Sequence, residues 1–179
     1  PGYRLQVTVG RGAMGTVYRA LHTGLNRTVA IKILRQDLAG DRTQVERLKA
    51  EAAMLASLDH PNIVRALDAG ESNGFPYVVM EFVEGETMAD AVRRGPLPVH
   101  RIAEIGATVA EGLDHVHEQG LVHRDVKPAN VMLGRGGAVK LTDFGIARLV
   151  DAAKVTSTGL MIGTASYLAP EQVAGEPVG

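Results

Sequence analysis

Residues 123–130, with the sequence HRDVKPAN, place three chemically active side chains within one short segment. Asp125, Lys127 and Asn130 follow neither the period of a helix face nor that of a strand face, which indicates a loop. A second acid, Asp143, follows after an apolar run. Hard cations take oxygen ligands, which acids and amides supply, and a lysine suits phosphate. These residue types therefore indicate magnesium and phosphate chemistry.

Two short apolar runs connect the loop to the second acid. Residues 131–133 and 139–141 are separated by a turn rich in glycine, a pattern that predicts a hairpin. The hairpin would return the chain so that Asp143 lies beside Asn130. A simpler interpretation is a polar loop after a helix, in which Asp125 caps a neighbouring element.

At these residues, and at Asp143-Phe144-Gly145, the chain resembles the catalytic loop and metal motif of eukaryotic-type protein kinases. The resemblance implies that Asp125 accepts or orients the proton of the acceptor hydroxyl and that Lys127 offsets charge on the transferred group. It implies that Asn130 and Asp143 hold Mg²⁺. The pattern around Lys127 is similar to the serine/threonine class of bacterial kinases.

A glycine pattern occurs near the start of the chain. Residues 4–9 alternate between apolar and polar, which predicts a half-buried strand, and Gly10, Gly12 and Gly15 follow in G-x-G-x-x-G spacing. Residues 16–21 favour a return strand. Dinucleotide-binding folds place this spacing between a strand and a helix, whereas the kinase loop lies between two strands. A glycine-rich hairpin turn without a ligand is the plain alternative.

Lys32 lies on a predicted strand, residues 29–34, that is apolar on both faces, so its ammonium needs a partner. Apolar residues recur at helical steps from Thr43, and Glu51 lies along the buried edge of that stripe. Removing one partner of a buried ion pair costs ~3–5 kcal/mol. We therefore predict that Lys32 pairs with Glu51, as the resemblance also implies. The alternative is that Glu51 faces solvent and Lys32 extends towards water.

Two more strands, at residues 63–67 and 77–82, are predicted around the turn Ser72-Asn73-Gly74. By resemblance, the segment after them is the hinge between two lobes, where the backbone of Glu81 and Val83 meets adenine. The resemblance assigns further nucleotide contacts to four apolar residues: Val9, Val17, Ala30 and Met132.

The second half of the chain predicts helices. Thr87 and Asp90 are close to a capping box at the start of a helix over residues 87–94. A longer stripe at residues 98–119 ends at Gly120. The predicted fold is α+β and bilobal, like a protein kinase: residues 1–83 form a five-stranded antiparallel sheet with one helix, and residues 84–179 form a partial, mainly helical lobe.

The residues after Gly145 resemble an activation segment that closes at Ala169-Pro170-Glu171. We expect Arg124 to bind a phosphate on Thr156 or Thr158, because a guanidinium pairs with phosphate oxygens. By resemblance, Thr164 reaches towards the catalytic acid. A loop that merely contains hydroxyl groups is the alternative.

The composition of the chain limits the classes of partner and binding site that we expect. The 179 residues carry a net charge of −1 and no cysteine, which gives no reason to expect nucleic acid and excludes disulfides and thiolate metal sites. No apolar run is as long as a membrane span, so we expect a cytoplasmic segment, with any membrane anchor in regions outside it.

The expected function is an ATP- and Mg²⁺-dependent protein kinase that phosphorylates serine and threonine, with autophosphorylation through a homodimer. Family domains continue into several helices beyond A-P-E, so we expect residues 1–179 alone to be weakly active. The alternative is an impaired, nucleotide-binding regulatory module.

Overall fold

A computed structural model describes residues 2–12, 15–35, 56, 58–144, 167 and 169–174. The described residues fall into two compact units. The first contains the described residues up to 58 together with Arg65–Phe82. The second contains Asp59–Val64, residues 83–144, and the described residues from 167 to 174.

The first unit is built on a five-stranded antiparallel sheet, as predicted, in the order β1-β2-β3-β5-β4. Its strands are β1 (Tyr3–Gly12), β2 (Gly15–His22), β3 (Arg27–Leu34), β4 (Ala66–Ser72) and β5 (Phe75–Glu81). β4 and β5 meet at a turn in which Asn73 and Gly74 both have positive φ, 53° and 77°. Asn-Gly is the sequence that such a hairpin turn favours, because glycine and asparagine tolerate this backbone.

One face of this sheet carries a buried apolar cluster of the first unit. Ala20, Val29, Ile31 and Val79 are buried there, and partly buried tyrosines pack against them. Lys32, Ala30 and Val17 lie on the opposite face, because side chains alternate along a strand and pair across it in register.

The predicted burial of β1 was wrong. Leu5, Val7 and Val9 are 46%, 52% and 51% exposed. β1 is an edge strand, and its register against β2 shifts between Leu5 and Val7 and again between Thr8 and Gly10. A bulge interrupts the alternation of faces, so a regular apolar pattern no longer points to one core.

The predicted position of the fourth strand was also wrong. It begins at Ala66 rather than Ile63. Ile63 instead forms a parallel bridge to Leu141 in the second unit, and both side chains are buried. An apolar run of this length can form either a strand or a buried connection. Here the tertiary contacts of Ile63 place it in a buried connection.

The second unit combines helices with a small sheet. Its elements are β6 (Gly85–Thr87), α1 (Met88–Arg94), α2 (Val99–Glu118), β7 (Val131–Gly134), β8 (Val139–Leu141) and α3 (Pro170–Ala174). The strands pair antiparallel in the order β6-β7-β8. The hairpin expected after the polar loop is therefore present, whereas β6 extends it where a linker was expected.

Local signals set the helix ends. Thr87 accepts a hydrogen bond from the Asp90 amide, and the Asp90 carboxylate accepts one from the Thr87 amide, which completes the capping box at α1. α2 ends as a Schellman motif: Gly120, with φ 70°, donates to His117, and Leu121 donates to Val116. None of the described helices is long and apolar enough to cross a membrane.

Candidate active site

The polar loop lies between α2 and β7, and both ends of it are fixed. The Schellman motif stops α2 before the loop begins. At the other end, a single 3₁₀ turn, Pro128–Asn130, leads directly into β7. The amide of Thr142, just after β8, donates to the carbonyl oxygen of Asn130 at 2.9 Å. The hairpin therefore returns the backbone to the loop, as the sequence predicted.

Two predicted residues, Lys127 and Asn130, converge on one carboxylate oxygen of a third, Asp125. Lys127 Nζ lies 2.8 Å from Asp125 Oδ2. Asn130 Nδ2 donates to the same Oδ2 at 2.9 Å and to the carbonyl oxygen of Asp125 at 2.8 Å. Asp125 and Lys127 are partly exposed, whereas Asn130 is 4% exposed. Among the described residues, all side-chain contacts of Asp125 use Oδ2, so Oδ1 is the oxygen left to meet a proton donor.

The side-chain amide of Asn130 is oriented by this arrangement. Both N–H bonds of Nδ2 point at oxygens of Asp125, so the amide oxygen Oδ1 faces away from them. An amide oxygen is a suitable ligand for a hard cation. Asp143, one residue after Thr142, has φ 62°, in the left-handed region that aspartate adopts more readily than most residues other than glycine.

The described residues fit a divalent metal only when a ligand supplies more oxygens. They contain no group of three or more His, Cys, Asp or Glu side chains that could hold a metal ion. Mg²⁺ is commonly held by one or two carboxylates together with substrate phosphates. The oxygen donors of Asn130 and Asp143 suit that pattern better than a cage made only of protein.

The buried side chain of His123 supports the polar loop, and it was not predicted as a site residue. It is 1% exposed, and its Nε2 lies 3.0 Å from the carbonyl oxygen of Thr142. Its Nδ1 accepts a hydrogen bond from the amide of Asp125 at 3.2 Å. The ring also packs against Phe144, with centroids 4.4 Å apart. These contacts assign the neutral tautomer with the proton on Nε2.

Burial lowers the pKa of His123 below its usual 6.5, and this effect outweighs the hydrogen bond to Thr142 and the acids Asp125 and Asp143, which favour the charged ring. A proton on Nδ1 would also face the donating amide of Asp125. The sequence signal for His123 was weak, because its contacts with Thr142 and Phe144 depend on the return of the chain after β8.

The predicted nucleotide residues of the first unit form a row across its sheet. Gly10 on β1 pairs with Val17 on β2, which pairs with Lys32 on β3. Ala30 is two residues from Lys32 on the same strand and shares its face. Lys32 is 6% exposed. Val9 lies in the bulge beside Gly10.

The three glycines differ in what surrounds them. A Cβ on Gly15 would lie 2.1 Å from the carbonyl oxygen of Ile33, so β3 itself requires glycine there. A Cβ on Gly12 would meet no described atom within 4 Å, and one on Gly10 would only touch Val17 at 3.9 Å. Gly10 and Gly12 therefore keep open space above the backbone, as the predicted phosphate contact needs.

The predicted hinge residues lie on either side of the division between the units. Glu81 ends β5; its Oε1 accepts from the amide of Arg65 at 3.0 Å, and its amide donates to the Arg65 carbonyl. Val83 begins the long segment of the second unit and lies close to Gly134. Met132 is in β7, in register with Thr87 and Lys140.

Several predicted residues lie outside the described part of the chain. They are Glu51, Gly145, Thr156, Thr158 and Thr164. The pairing of Lys32 with Glu51 and the phosphate contact of Arg124 therefore stay predictions. Arg124 itself is described and has φ 66°.

Known proteins resemble the chain over nearly all of its length. A family profile described as the protein kinase domain matches residues 3–179. The serine/threonine-protein kinase PknB of Mycobacterium leprae is 45% identical over 98% of this chain and 29% of its own length. PknL of Mycobacterium tuberculosis is 43% identical over 96% of this chain and 43% of its own length. The chain thus spans less than half of either relative.

The chain also resembles solved structures of kinase domains. The crystal structure of the Mycobacterium tuberculosis PknI kinase domain superposes with a TM-score of 0.79 at 35% identity, covering 99% of this chain and 67% of that one. The similarity extends over both the sheet and the helical segments.

Proposed function

The chain belongs to the protein kinase domain family, and on this premise we propose that it transfers the γ-phosphate of ATP to serine or threonine hydroxyls of proteins. Its curated relatives are named serine/threonine-protein kinases. The single observation that carries the proposal is the carboxylate of Asp125, held at Oδ2 by Lys127 and Asn130.

In this proposal Asp125 orients the acceptor hydroxyl and takes its proton. Lys127 and Asn130 fix the position of Oδ2, so Oδ1 can meet the hydroxyl. The ammonium of Lys127 also offsets negative charge that develops on the transferred phosphoryl group. Phosphoryl transfer needs little covalent help from the protein, so positioning and charge neutralisation are the main tasks.

The kinase family uses ATP and a divalent metal, and we propose that the metal is Mg²⁺. When bound, Mg²⁺ would supply positive charge that offsets the negative charge of the nucleotide phosphates. The residues that would hold it are Asn130, through Oδ1, and Asp143, through its carboxylate. This use of Asn130 follows from its two donor contacts to Asp125.

We assign ATP contacts to the row of residues on the sheet of the first unit. Lys32 would bind the α- and β-phosphates, oriented by Glu51, while the amides near Gly10 and Gly12 cover the phosphates. Adenine would meet the backbone of Glu81 and Val83. The apolar contacts to the nucleotide are Val9, Val17, Ala30 and Met132.

Regulation in this proposal depends on phosphorylation of the segment after Gly145. A phosphate on Thr156 or Thr158 would pair with Arg124, and Thr164 would assist the catalytic acid. Autophosphorylation would proceed through a homodimer. Residues 1–83 would serve as the nucleotide lobe and residues 84–179 as the catalytic lobe, working in the cytoplasm where ATP is supplied.

The decisive experiment is transfer of labelled phosphate from ATP to a generic protein substrate and to the protein itself. Replacing Asp125 with Asn removes the proton acceptor, so kcat should fall by about 10² to 10⁴. The matched control is Asp114→Asn, which makes the same change at an exposed position on α2 and should keep wild-type kcat.

Separate measurements of ATP binding and phosphate transfer distinguish a protein kinase from a nucleotide-binding regulatory module. ATP binding without any phosphate transfer by the wild-type protein would indicate a nucleotide-binding regulatory module. Equal kcat for Asp125→Asn and wild type would show that Asp125 is not the proton acceptor.

A further inference from the structure

The side-chain amide of Gln172 connects α3 to the loop that carries Asp125. Gln172 Nε2 donates to the carbonyl oxygen of Arg124 at 3.0 Å, across 48 residues of chain. Its Oε1 accepts from the amide of Ala169 at 3.0 Å. Because the amide of Ala169 can only donate, it fixes which end of the Gln172 side chain faces Arg124.

The bond from Gln172 reaches the peptide unit that directly precedes Asp125. That unit contains the carbonyl of Arg124 and the amide of Asp125. Gln172 holds the carbonyl, and His123 Nδ1 accepts from the amide at 3.2 Å. The following carbonyl, that of Asp125, accepts from Asn130. The backbone on both sides of the catalytic acid is therefore held by side chains.

This peptide unit needs such support. Arg124 has φ 66°, in the left-handed region, where a residue with a Cβ is strained and is kept only by its surroundings. A small rotation of the peptide would turn the Cα–Cβ bond of Asp125 and move its carboxylate away from Lys127 and Asn130.

We propose that Gln172 is a positioning residue: by holding the carbonyl of Arg124, it fixes the direction of the Asp125 carboxylate and makes phosphate transfer depend on the seating of α3. The inference rests on the proposed function of Asp125. It also gives α3 a role beyond closing the segment that resembles an activation segment.

Two substitutions of Gln172 test its contacts with Ala169 and with Arg124. Gln172→Glu keeps the acceptor for Ala169 but sets a carboxylate against the Arg124 carbonyl. Gln172→Met keeps the length and loses both contacts. Gln6→Glu, the same change at an exposed position on β1, is the control. One lost hydrogen bond corresponds to a fall in kcat of about three- to tenfold for both Gln172 variants.

A positioning role predicts a specific kinetic pattern in the purified protein. The KM for ATP should stay within about twofold of wild type, and both Gln172 variants should remain fully folded at the assay temperature, as Gln6→Glu does. Amide hydrogen exchange at Asp125, measured without nucleotide, should become at least about tenfold faster in Gln172→Met, because the peptide loses one of its two holds.

Three results would overturn the inference. One is wild-type kcat in both Gln172 variants, and another is unchanged exchange at Asp125. The third is a loss of kcat that only follows a loss of folded protein. If the wild-type protein transfers no phosphate, the proposed function fails, and exchange at Asp125 alone then decides whether Gln172 holds the loop.

Discussion

His123 holds the backbone of Asp125 only while its ring is neutral. Its Nδ1 must accept from the Asp125 amide, and its Nε2 must donate to Thr142. Burial lowers the pKa of His123, so the folded protein keeps this neutral form to lower pH than the unfolded chain does. The same contacts that hold the polar loop therefore make stability depend on pH.

We predict that the free energy of unfolding falls as pH drops below about 6.5, the ordinary histidine pKa. Below it the unfolded chain binds a proton at this position that the folded protein does not, whereas above it both states are neutral. His123 contributes at most about 1.4 kcal/mol per pH unit. Urea unfolding between pH 7 and pH 5 measures the slope.

Substitutions identify which histidine causes the pH dependence of the free energy of unfolding. His123→Gln removes the titrating group and should flatten this slope relative to wild type. His117→Gln, at an exposed position near the end of α2, should leave it unchanged. Identical slopes for His123→Gln and wild type would contradict the assignment.

The glycine-bearing strands β1 and β2 combine two different requirements for glycine. Gly15 pairs with Leu34 in β3, and the carbonyl of Ile33 leaves no room for a side chain. Gly12 pairs with Gly15 and has no described atom within 4 Å of its added Cβ. The same spacing in sequence therefore contains one glycine needed by the sheet and one, Gly12, with open space where a Cβ would lie.

We predict opposite outcomes for two alanine substitutions. Gly15→Ala should lower the free energy of unfolding by at least about 1–3 kcal/mol, because the added methyl overlaps a backbone oxygen of β3. Gly12→Ala should change stability by less than about 0.5 kcal/mol but raise the KM for ATP. Chemical denaturation and ATP titration measure both. Equal stabilities would refute the packing argument.

The two compact units each contain part of the predicted chemistry. Lys32 belongs to the first unit, and Asn130 and Asp143 belong to the second. A ligand that binds only the folded protein stabilises it in proportion to its affinity and concentration. Stability with and without nucleotide therefore tests the roles predicted for Lys32, Asn130 and Asp143.

We predict that ATP with Mg²⁺ at 100 times its Kd stabilises the protein by about 2.7 kcal/mol. Asp143→Asn should remove the part of this gain that depends on Mg²⁺, and Lys32→Met should reduce the gain with or without Mg²⁺. The melting temperature is measured with ATP in the presence of either Mg²⁺ or EDTA, and Asp114→Asn is the control. A full Mg²⁺-dependent gain in Asp143→Asn would exclude it as a ligand.

Local patterns in the sequence were sufficient for much of the architecture. The Asn73-Gly74 turn, the capping box at Thr87 and the helix end at Gly120 depend on residues a few positions apart, so their signals are complete within a short window. The kinase motifs identified the family for the same reason, since their residue types and spacing are local. Roles assigned to individual site residues stay predictions.

The sequence by itself determined the chemical groups, the hairpin after the catalytic loop and the family. Only the tertiary structure decided that β1 exposes its apolar residues, that Ile63 joins Leu141, that His123 bonds Thr142 and that Gln172 bonds the carbonyl of Arg124. These features depend on strand register and on hydrogen bonds between distant parts of the chain. Short-range periodicity contains no information about which distant donor meets which acceptor, because chain folding alone brings them together.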